Sequence, residues 1–170
     1  MTFLDHAIEW LRNEAFEMSL LACAGVVILI IAAALWRFAP NPMGQALPIP
    51  LAIIAMLFLG AGLGGTLGTP AKIATFTEAY ALDPRAFLYA EKARVEAFQI
   101  LYTYTIIGAA IAFAIALMLF AVSEQAMLRA IAICLVFLGL SGLVIDMFSK
   151  ERSNRYYGAI MAEVSQSEHP

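Results

Sequence analysis

Residues 97–123 read AFQILYTYTIIGAAIAFAIALMLFAVS, which is twenty-seven residues without one charged side chain. Three other uncharged runs occur, from Met18 to Trp36, from Phe38 to Ala71 and from Ala130 to Ile145. A helix needs about 20 apolar residues to cross a bilayer, whereas spanning strands are about half as long and alternate in polarity. We therefore predict an all-α, polytopic integral membrane protein with four transmembrane helices, over about residues 17–37, 49–69, 99–122 and 127–148.

The composition favours the same class. Hydrophobic residues make up 62% of the 170-residue chain and charged residues 14%, with a mean hydropathy of +0.83. Soluble domains are about 45–50% apolar and about 25% charged, so an ordinary soluble globule is excluded. Ten basic residues against 13 acidic ones leave a net charge of −3. Nucleic acid is therefore not expected as a partner, since no positive excess is left to meet phosphates.

The distribution of Lys and Arg predicts the orientation. If both termini are cytoplasmic, eight basic residues lie on the inner side and only Arg37 and Arg129 on the outer side. The eight are Arg12, Lys72, Arg85, Lys92, Arg94, Lys150, Arg152 and Arg155. Inner loops carry such an excess. We therefore predict a multi-pass protein of a bacterial inner membrane, with the N and C termini cytoplasmic.

Three segments lie outside the predicted spans, and we read the whole chain, 1–170, as one membrane domain. Residues 1–16 are predicted to form an interfacial amphipathic helix, capped by Thr2 with Asp5 three residues on. Its apolar stripe consists of Leu4, Ile8, Leu11 and Ala15. Residues 149–170 are predicted to extend helix four as a cytoplasmic tail, with basic side chains and two tyrosines near the headgroups.

Residues 70–98 are predicted to form a cytoplasmic helical hairpin between helices two and three. Thr69-Pro70 can begin its first arm. Asp83 is a suitable N-cap and Pro84 a suitable first helical residue for the second arm, which continues into helix three without a stop signal. Such a hairpin is either a packed connector or a surface for a partner.

Small residues recur at four-residue spacing on the apolar helices. In lipid, this spacing lets helix backbones approach closely. We expect helices two and three to cross tightly, either within the chain or at an interface with a partner or a second copy. The predicted packing residues are Gly60, Gly64, Gly68, Gly108, Ala112, Gly139 and Gly142.

Asp146 is the one acidic residue within an apolar run. Ionisable groups at such depth are costly and usually paired or functional. We expect an ion pair at the inner membrane surface, with Lys150, Arg94 or Lys92 as its partner; a proton or ion pathway is the alternative. The predicted cytoplasmic polar cluster comprises Glu91, Arg94, Asp146, Glu151 and Arg152.

Spacings typical of catalysis or metal binding are missing from the sequence. His6 and His169 are single residues near the termini, and Cys23 and Cys134 match neither a redox motif nor a metal site. No phosphate-binding glycine loop follows a strand. We therefore predict no catalytic residue, no metal site and no cofactor.

Several short motifs together resemble a group of small four-helix bacterial membrane proteins, mostly uncharacterised, over roughly residues 60–157. The motif residues are Thr69, Pro70, Glu91, Arg94, Val95, Phe98, Tyr102, Asp146, Phe148, Glu151, Arg152 and Tyr156. That group's pattern has an Arg after the Tyr and an acid early in helix three, where this chain has Thr103 and Ile106. The resemblance implies the fold and little about function.

These observations favour a non-catalytic inner-membrane protein that binds other proteins helix to helix. The most specific form is an immunity protein that neutralises a membrane-inserting bacterial toxin. The expected partners are membrane lipids, a membrane protein or toxin, and a second copy of the chain. Two alternatives are an oligomeric channel or transporter subunit, gated by Asp146, Glu91 and Arg94, and a membrane enzyme acting on lipid or quinone.

Overall fold

A computed structural model of the chain describes residues 2–168, with side chains described for residues 2–165. Residues 1, 169 and 170, at the ends of the predicted lead-in helix and tail, lie outside the described residues. The helices are α1 (Phe3–Phe38), α2 (Pro42–Ala46), α3 (Pro48–Leu82), α4 (Pro84–Val122) and α5 (Ala126–Glu168). Residues 2–168 contain no strand, and α1, α3, α4 and α5 are each long and apolar enough to span a membrane. The all-helical class is confirmed.

Local hydrogen bonds explain where the helices begin. The Thr2 amide donates to the Asp5 carboxylate at 2.7 Å, and the Asp5 amide donates to the Thr2 hydroxyl at 3.3 Å, which completes the predicted capping box. At the start of α4, the Asp83 carboxylate accepts from the amides of Arg85 and Ala86, both at 2.9 Å. Pro84 occupies the first turn, where a missing amide hydrogen costs nothing. Both predicted caps are therefore confirmed.

Pro70 lies inside α3, although its sequence context predicted a helix start there. Proline removes one backbone donor, so the hydrogen bond to the carbonyl four residues earlier is missing. Contacts to α1 persist on both sides of this position. The Thr66 hydroxyl lies 3.3 Å from the carbonyl oxygen of Ala15, and the Lys72 ammonium lies 4.0 Å from the Glu14 carboxylate. These contacts hold α3 along α1 through the proline.

The four long helices exceed the thickness of a bilayer. They contain 36, 35, 39 and 43 residues, which at about 1.5 Å per residue gives roughly 50–65 Å, against about 30 Å of hydrocarbon. The part of each helix that exceeds the bilayer thickness lies at the same end of the molecule. We call residues 3–16, 70–82, 84–98 and 149–168 the end bundle.

The end bundle has its own hydrophobic core, and residues 3–16 form one wall of it. They continue directly into the rest of α1, and their side chains Phe3, Ala7 and Leu11 are buried against protein. The remaining core residues come from α4 and α5 and are Phe87, Leu88, Val95, Tyr156, Ile160 and Val164. The predicted lead-in, hairpin and tail are thus packed together as one unit; their location relative to a membrane stays a prediction.

Outside the end bundle the helices pack as two antiparallel pairs, α1 with α3 and α4 with α5. Glycines allow the close approach of α1 and α3. A Cβ on Gly62 would lie 2.5 Å from the Ala22 amide nitrogen, and one on Gly25 would lie 2.9 Å from the Ala55 carbonyl oxygen. A tight crossing of transmembrane helices two and three within the chain, here α3 and α4, is wrong, because each packs mainly against another helix; the alternative of an interface stays a prediction. A second core, which includes Ile28, Phe58 and Cys134, joins α1 and α3 to α5.

Candidate functional site

Glu91 is the centre of the polar contacts in the end bundle. Its side chain is buried, and both carboxylate oxygens accept hydrogen bonds from Arg94, from Nε at 2.8 Å and from Nη2 at 2.7 Å. The phenol of Tyr156 donates to the second of these oxygens at 3.0 Å. Such a two-pronged Arg–carboxylate pair is both strong and directional. Glu91 therefore fixes the position of α5 relative to α4.

Aromatic rings from α1 and α3 enclose this pair. The guanidinium carbon of Arg94 lies 4.6 Å from the ring centroid of Trp10 and 5.6 Å from that of Phe76, within the range of cation–π attraction. The ring of Tyr156 stacks on Trp10 at 5.4 Å and on Phe3 at 6.1 Å. All four long helices thus meet around Glu91 and Arg94.

The charges around Glu91 shift two pKa values in the end bundle, outside the predicted spans. Burial raises the pKa of the Tyr156 phenol, and the adjacent Glu91 carboxylate raises it further. Burial lowers the pKa of Arg94, but the hydrogen bond and charge of Glu91 outweigh it and leave a net increase. Tyr156 is therefore a neutral donor and Arg94 a fixed cation. This arrangement suits helix clamping better than proton transfer.

Arg152 does not join Glu91, although both belong to the predicted polar cluster. Its guanidinium pairs instead with the carboxylate of Glu17 on α1. Its Nε is buried and has no hydrogen-bond partner among the described residues. Glu17 was not singled out from the sequence. A signal was present, because Glu17 directly precedes the uncharged run from Met18 and Arg152 follows the last apolar run by a few residues.

Asp146 lies on the face of α5 that packs against α4. Next to it along this face, a Cβ on Gly142 would contact Thr105 at 3.5 Å, and the hydroxyls of Ser149 and Tyr102 lie 3.3 Å apart. The Asp146 Oδ2 atom is buried and lacks a hydrogen-bond partner within the described residues.

The expected ion pair of Asp146 is therefore wrong. Two of its proposed partners are engaged elsewhere, since Lys92 pairs with Glu96 at 4.0 Å and Arg94 pairs with Glu91. Glu151 is also separate from the cluster and binds Arg155 at 3.0 Å on the surface. The predicted polar cluster is thus distributed over several independent contacts.

The predicted packing glycines divide into two groups. A Cβ on Gly139 would lie 2.7 Å from the Phe113 ring, so this glycine packs α5 on α4, and Gly142 lies in ordinary contact on the same side. Gly60, Gly64, Gly68 and Gly108 have nothing within 4 Å of such a Cβ. Ala112 is half-buried on α4. The open glycines of α3 face away from the chain's own helices.

An apolar groove separates α1 from α5. Its volume is about 820 Å³, within the range of small-ligand sites. At one end lie the Glu17–Arg152 pair and Asn13; at the other, the rings of Phe58 and Phe137 lie 6.4 Å apart. No group of three or more His, Cys, Asp or Glu side chains in the described part of the chain is placed to hold a metal ion.

Neither a family model, nor a curated protein, nor a solved structure matches this chain. The resemblance to small four-helix bacterial membrane proteins therefore stays a prediction. The features of the chain that indicate a function are the open glycine face of α3, the buried Oδ2 atom of Asp146 and the groove between α1 and α5.

Proposed function

We propose that this chain is a non-catalytic, multi-pass protein of a bacterial inner membrane that binds another transmembrane helix. The binding surface is the open glycine face of α3, formed by Gly60, Gly64 and Gly68. Four helices long and apolar enough to span a membrane provide the scaffold. The excess of Lys and Arg at the end-bundle side supports a cytoplasmic end bundle.

The observation that carries this proposal is the contrast between two rows of glycines on α3. Gly62 and Gly65 face α1, where a Cβ would lie 2.5 Å from its nearest neighbour. Gly60 and Gly64, four residues apart on the same helix, face open space instead. Glycine costs about 1 kcal/mol relative to alanine inside a helix, and no contact from the described residues offsets that cost at the open row. Close approach by a foreign helix would offset it.

The shape of the open face also suits a helix. Leu57, Leu63 and Leu67 are exposed on α3 near the glycines, so the face combines a low row of glycines with apolar side chains. The ridges of a second helix can lie along such a row. The most specific form of the proposal is an immunity protein, whose glycine face binds the membrane-inserting helix of a bacterial toxin. A second copy of the chain is the alternative occupant.

Site-directed photo-crosslinking in native membranes tests the proposal. A photoreactive amino acid replaces Gly64 in one variant and Leu117, an exposed apolar residue of α4, in the control. We expect a discrete adduct from position 64 and only diffuse lipid adducts from position 117. An adduct with twice the 18.4 kDa chain mass identifies a second copy of the chain. A discrete adduct of any other mass identifies a foreign partner. Equal diffuse labelling at both positions would contradict helix binding.

If the protein is an immunity protein, the glycine face should also be required for protection against the toxin. Cells that express the protein should survive a membrane-inserting toxin encoded beside it, and Gly64→Leu should abolish survival while Leu117→Ala preserves it. Survival with both variants would show that the glycine face is not the toxin-binding surface.

A second candidate function rests on Asp146, whose buried Oδ2 atom has no partner in the described residues. An oligomeric channel or transporter subunit would use this carboxyl on a proton or ion path. Ion flux in proteoliposomes that is lost in Asp146→Asn, but kept in Glu151→Gln at the surface, would favour this candidate. No flux from either form would eliminate it.

A further inference from the structure

We propose that the groove between α1 and α5 is a binding site for one phospholipid with a primary amine in its headgroup, such as phosphatidylethanolamine. This site is separate from the glycine face of α3 and does not depend on the helix-binding proposal. Its evidence is the shape of the groove, its length and the chemistry of its polar end.

The groove changes in polarity along its length. Most of its wall is apolar and comes from α1 and α5, with Leu21, Leu140 and Val144 among the lining residues. The aromatic pair Phe58 and Phe137 lies at the end of the groove that is farther from the end bundle. Charged and amide groups line only the opposite end, nearest the end bundle. An occupant must therefore have an apolar body and one polar terminus.

The length of the groove matches one leaflet of a bilayer. Along α5 the lining extends from Phe137 to Arg152, a separation of about 22 Å at about 1.5 Å per residue. One leaflet, with its headgroup layer, is about 20–22 Å thick. In a membrane-inserted chain the Arg152 end would then lie at headgroup depth, and the aromatic end near the bilayer midplane.

The groove is too small to enclose a helix of its own length. A helix about 10 Å in diameter and 22 Å long fills roughly 1,700 Å³, about twice the 820 Å³ of the groove. The groove therefore suits narrow acyl chains, whereas a partner helix requires an open face such as the one on α3.

The headgroup chemistry follows from the pair at the polar end. Arg152 keeps donors free after binding Glu17, and its buried Nε has no partner among the described residues. A phosphate in the groove can accept from the Nη donors of Arg152, whose side chain is 23% exposed, and from the Asn13 amide. The Glu17 carboxylate, only 27% exposed, can accept from a primary ammonium. A zwitterionic headgroup thus meets both charges, whereas a purely anionic headgroup leaves Glu17 opposed by like charge.

Two lipids serve as comparison probes. Phosphatidylcholine has the same net charge but no N–H donor for Glu17, and phosphatidylglycerol has the phosphate but no amine. Each therefore lacks one of the two proposed headgroup contacts. Loss of a charge-assisted hydrogen bond typically weakens binding about tenfold or more, so the ethanolamine lipid should be retained at least that much more strongly.

The test is native mass spectrometry of the delipidated full-length protein after addition of each of the three lipids. We expect one tightly retained phosphatidylethanolamine per chain. Ser141→Trp, which fills the groove, should abolish retention, and Ala114→Trp, on an exposed part of α4, should not. Glu17→Gln should shift the preference to phosphatidylglycerol by removing the carboxylate while Arg152 remains.

Three results would overturn the proposal. These are equal retention of the three lipids, equal retention by Ser141→Trp and Ala114→Trp, and an unchanged preference in Glu17→Gln. Circular dichroism of each variant separates loss of the site from loss of the fold. The cross-linking experiment at Gly64 is unaffected by any of these results, so the two proposals fail independently.

Discussion

The phenol oxygen of Tyr156 lies 3.0 Å from the Oε2 atom of Glu91, which joins residues 65 positions apart in the sequence. This bond lies inside a shell of rings from α1 and α3, beside the Arg94 guanidinium. One buried acid, with three donor atoms directed at it, thus adds a polar contact between helices to the hydrophobic core of the end bundle. Its removal should have a measurable cost.

Glu91→Gln should lower the free energy of unfolding by about 1–3 kcal/mol. The amide cannot replace the charge that faces the half-exposed Arg94, and removal of one partner of a buried pair leaves the other uncompensated. Thermal unfolding in detergent, followed by circular dichroism, measures the change. Glu151→Gln is the matched control, because its surface pair with Arg155 should contribute less than about 1 kcal/mol. Equal effects of the two substitutions would argue against Glu91 as the clamp.

The stability should also depend on the ionisation of Tyr156 at alkaline pH. Because its pKa in the folded state is raised above the ordinary tyrosine value of about 10, its contribution is complete below about pH 10. That contribution is lost as the pH rises further toward the folded-state pKa.

Tyrosinate absorbance measures this shift directly. The chain has six tyrosines. We expect Tyr156 to ionise last in the folded protein, after Tyr157, whose pKa is raised less strongly by its hydrogen bond to Glu96, and all six to ionise together in denaturant. Tyr156→Phe should remove the late phase. A late phase that persists in this variant would assign the shift to another tyrosine.

Two glycines of α3 should respond in opposite ways to alanine. Gly62→Ala should destabilise the protein by about 1–3 kcal/mol, because the added methyl would overlap the backbone of α1. Gly64→Ala should leave stability unchanged or raise it by up to about 1 kcal/mol, since alanine favours helix and the space is open. Thermal unfolding of both variants in detergent is the measurement. Destabilisation by Gly64→Ala would show that the open face is occupied in the purified protein.

Asp146→Asn should be tolerated or stabilising. A carboxyl within a spanning helix costs about 2.5–3.5 kcal/mol when charged at the bilayer centre and less toward the interface, and the Oδ2 atom has no partner in the described residues that the change would lose. Asparagine has nearly the same shape and an amide that can donate. Membrane insertion and thermal stability of the two forms provide the comparison. A clear loss of stability would indicate that Asp146 binds a cation or accepts a hydrogen bond from water.

Local patterns predicted the elements of this fold well. Uncharged runs predicted four long apolar helices, and the Asp83-Pro84 dipeptide predicted the break between α3 and α4. Pro70 was misleading, because the tertiary contacts to α1 on both sides outweigh the loss of one backbone hydrogen bond. Local patterns did not predict which faces of two helices pack against each other.

Gly60 and Gly62 illustrate that limit. Both are small residues on the same apolar helix, yet only Gly62 faces α1, and no property of the isolated helix distinguishes them. Arg94 and Arg152 show the same limit. Arg94 pairs with Glu91 three residues away on its own helix, a spacing that the sequence displays, whereas Arg152 pairs with Glu17 on α1. A pairing between helices depends on how the helices associate, which a single sequence does not specify.

The uninterrupted helices couple the two ends of the molecule mechanically. Because α1 and α5 pass from the end bundle to the groove without a proline, a change of tilt in one region is transmitted to the other. A 10° change in the tilt of α1 or α5 at the groove would displace the tip of the end bundle by about 3–4 Å, over an arm of about 20 Å. The hydrogen bonds to Glu91 are 2.7–3.0 Å long, so a displacement of that size would break them. A ligand that changes the tilt of α1 or α5 at the groove would thus disturb the packing of the aromatic rings around Glu91.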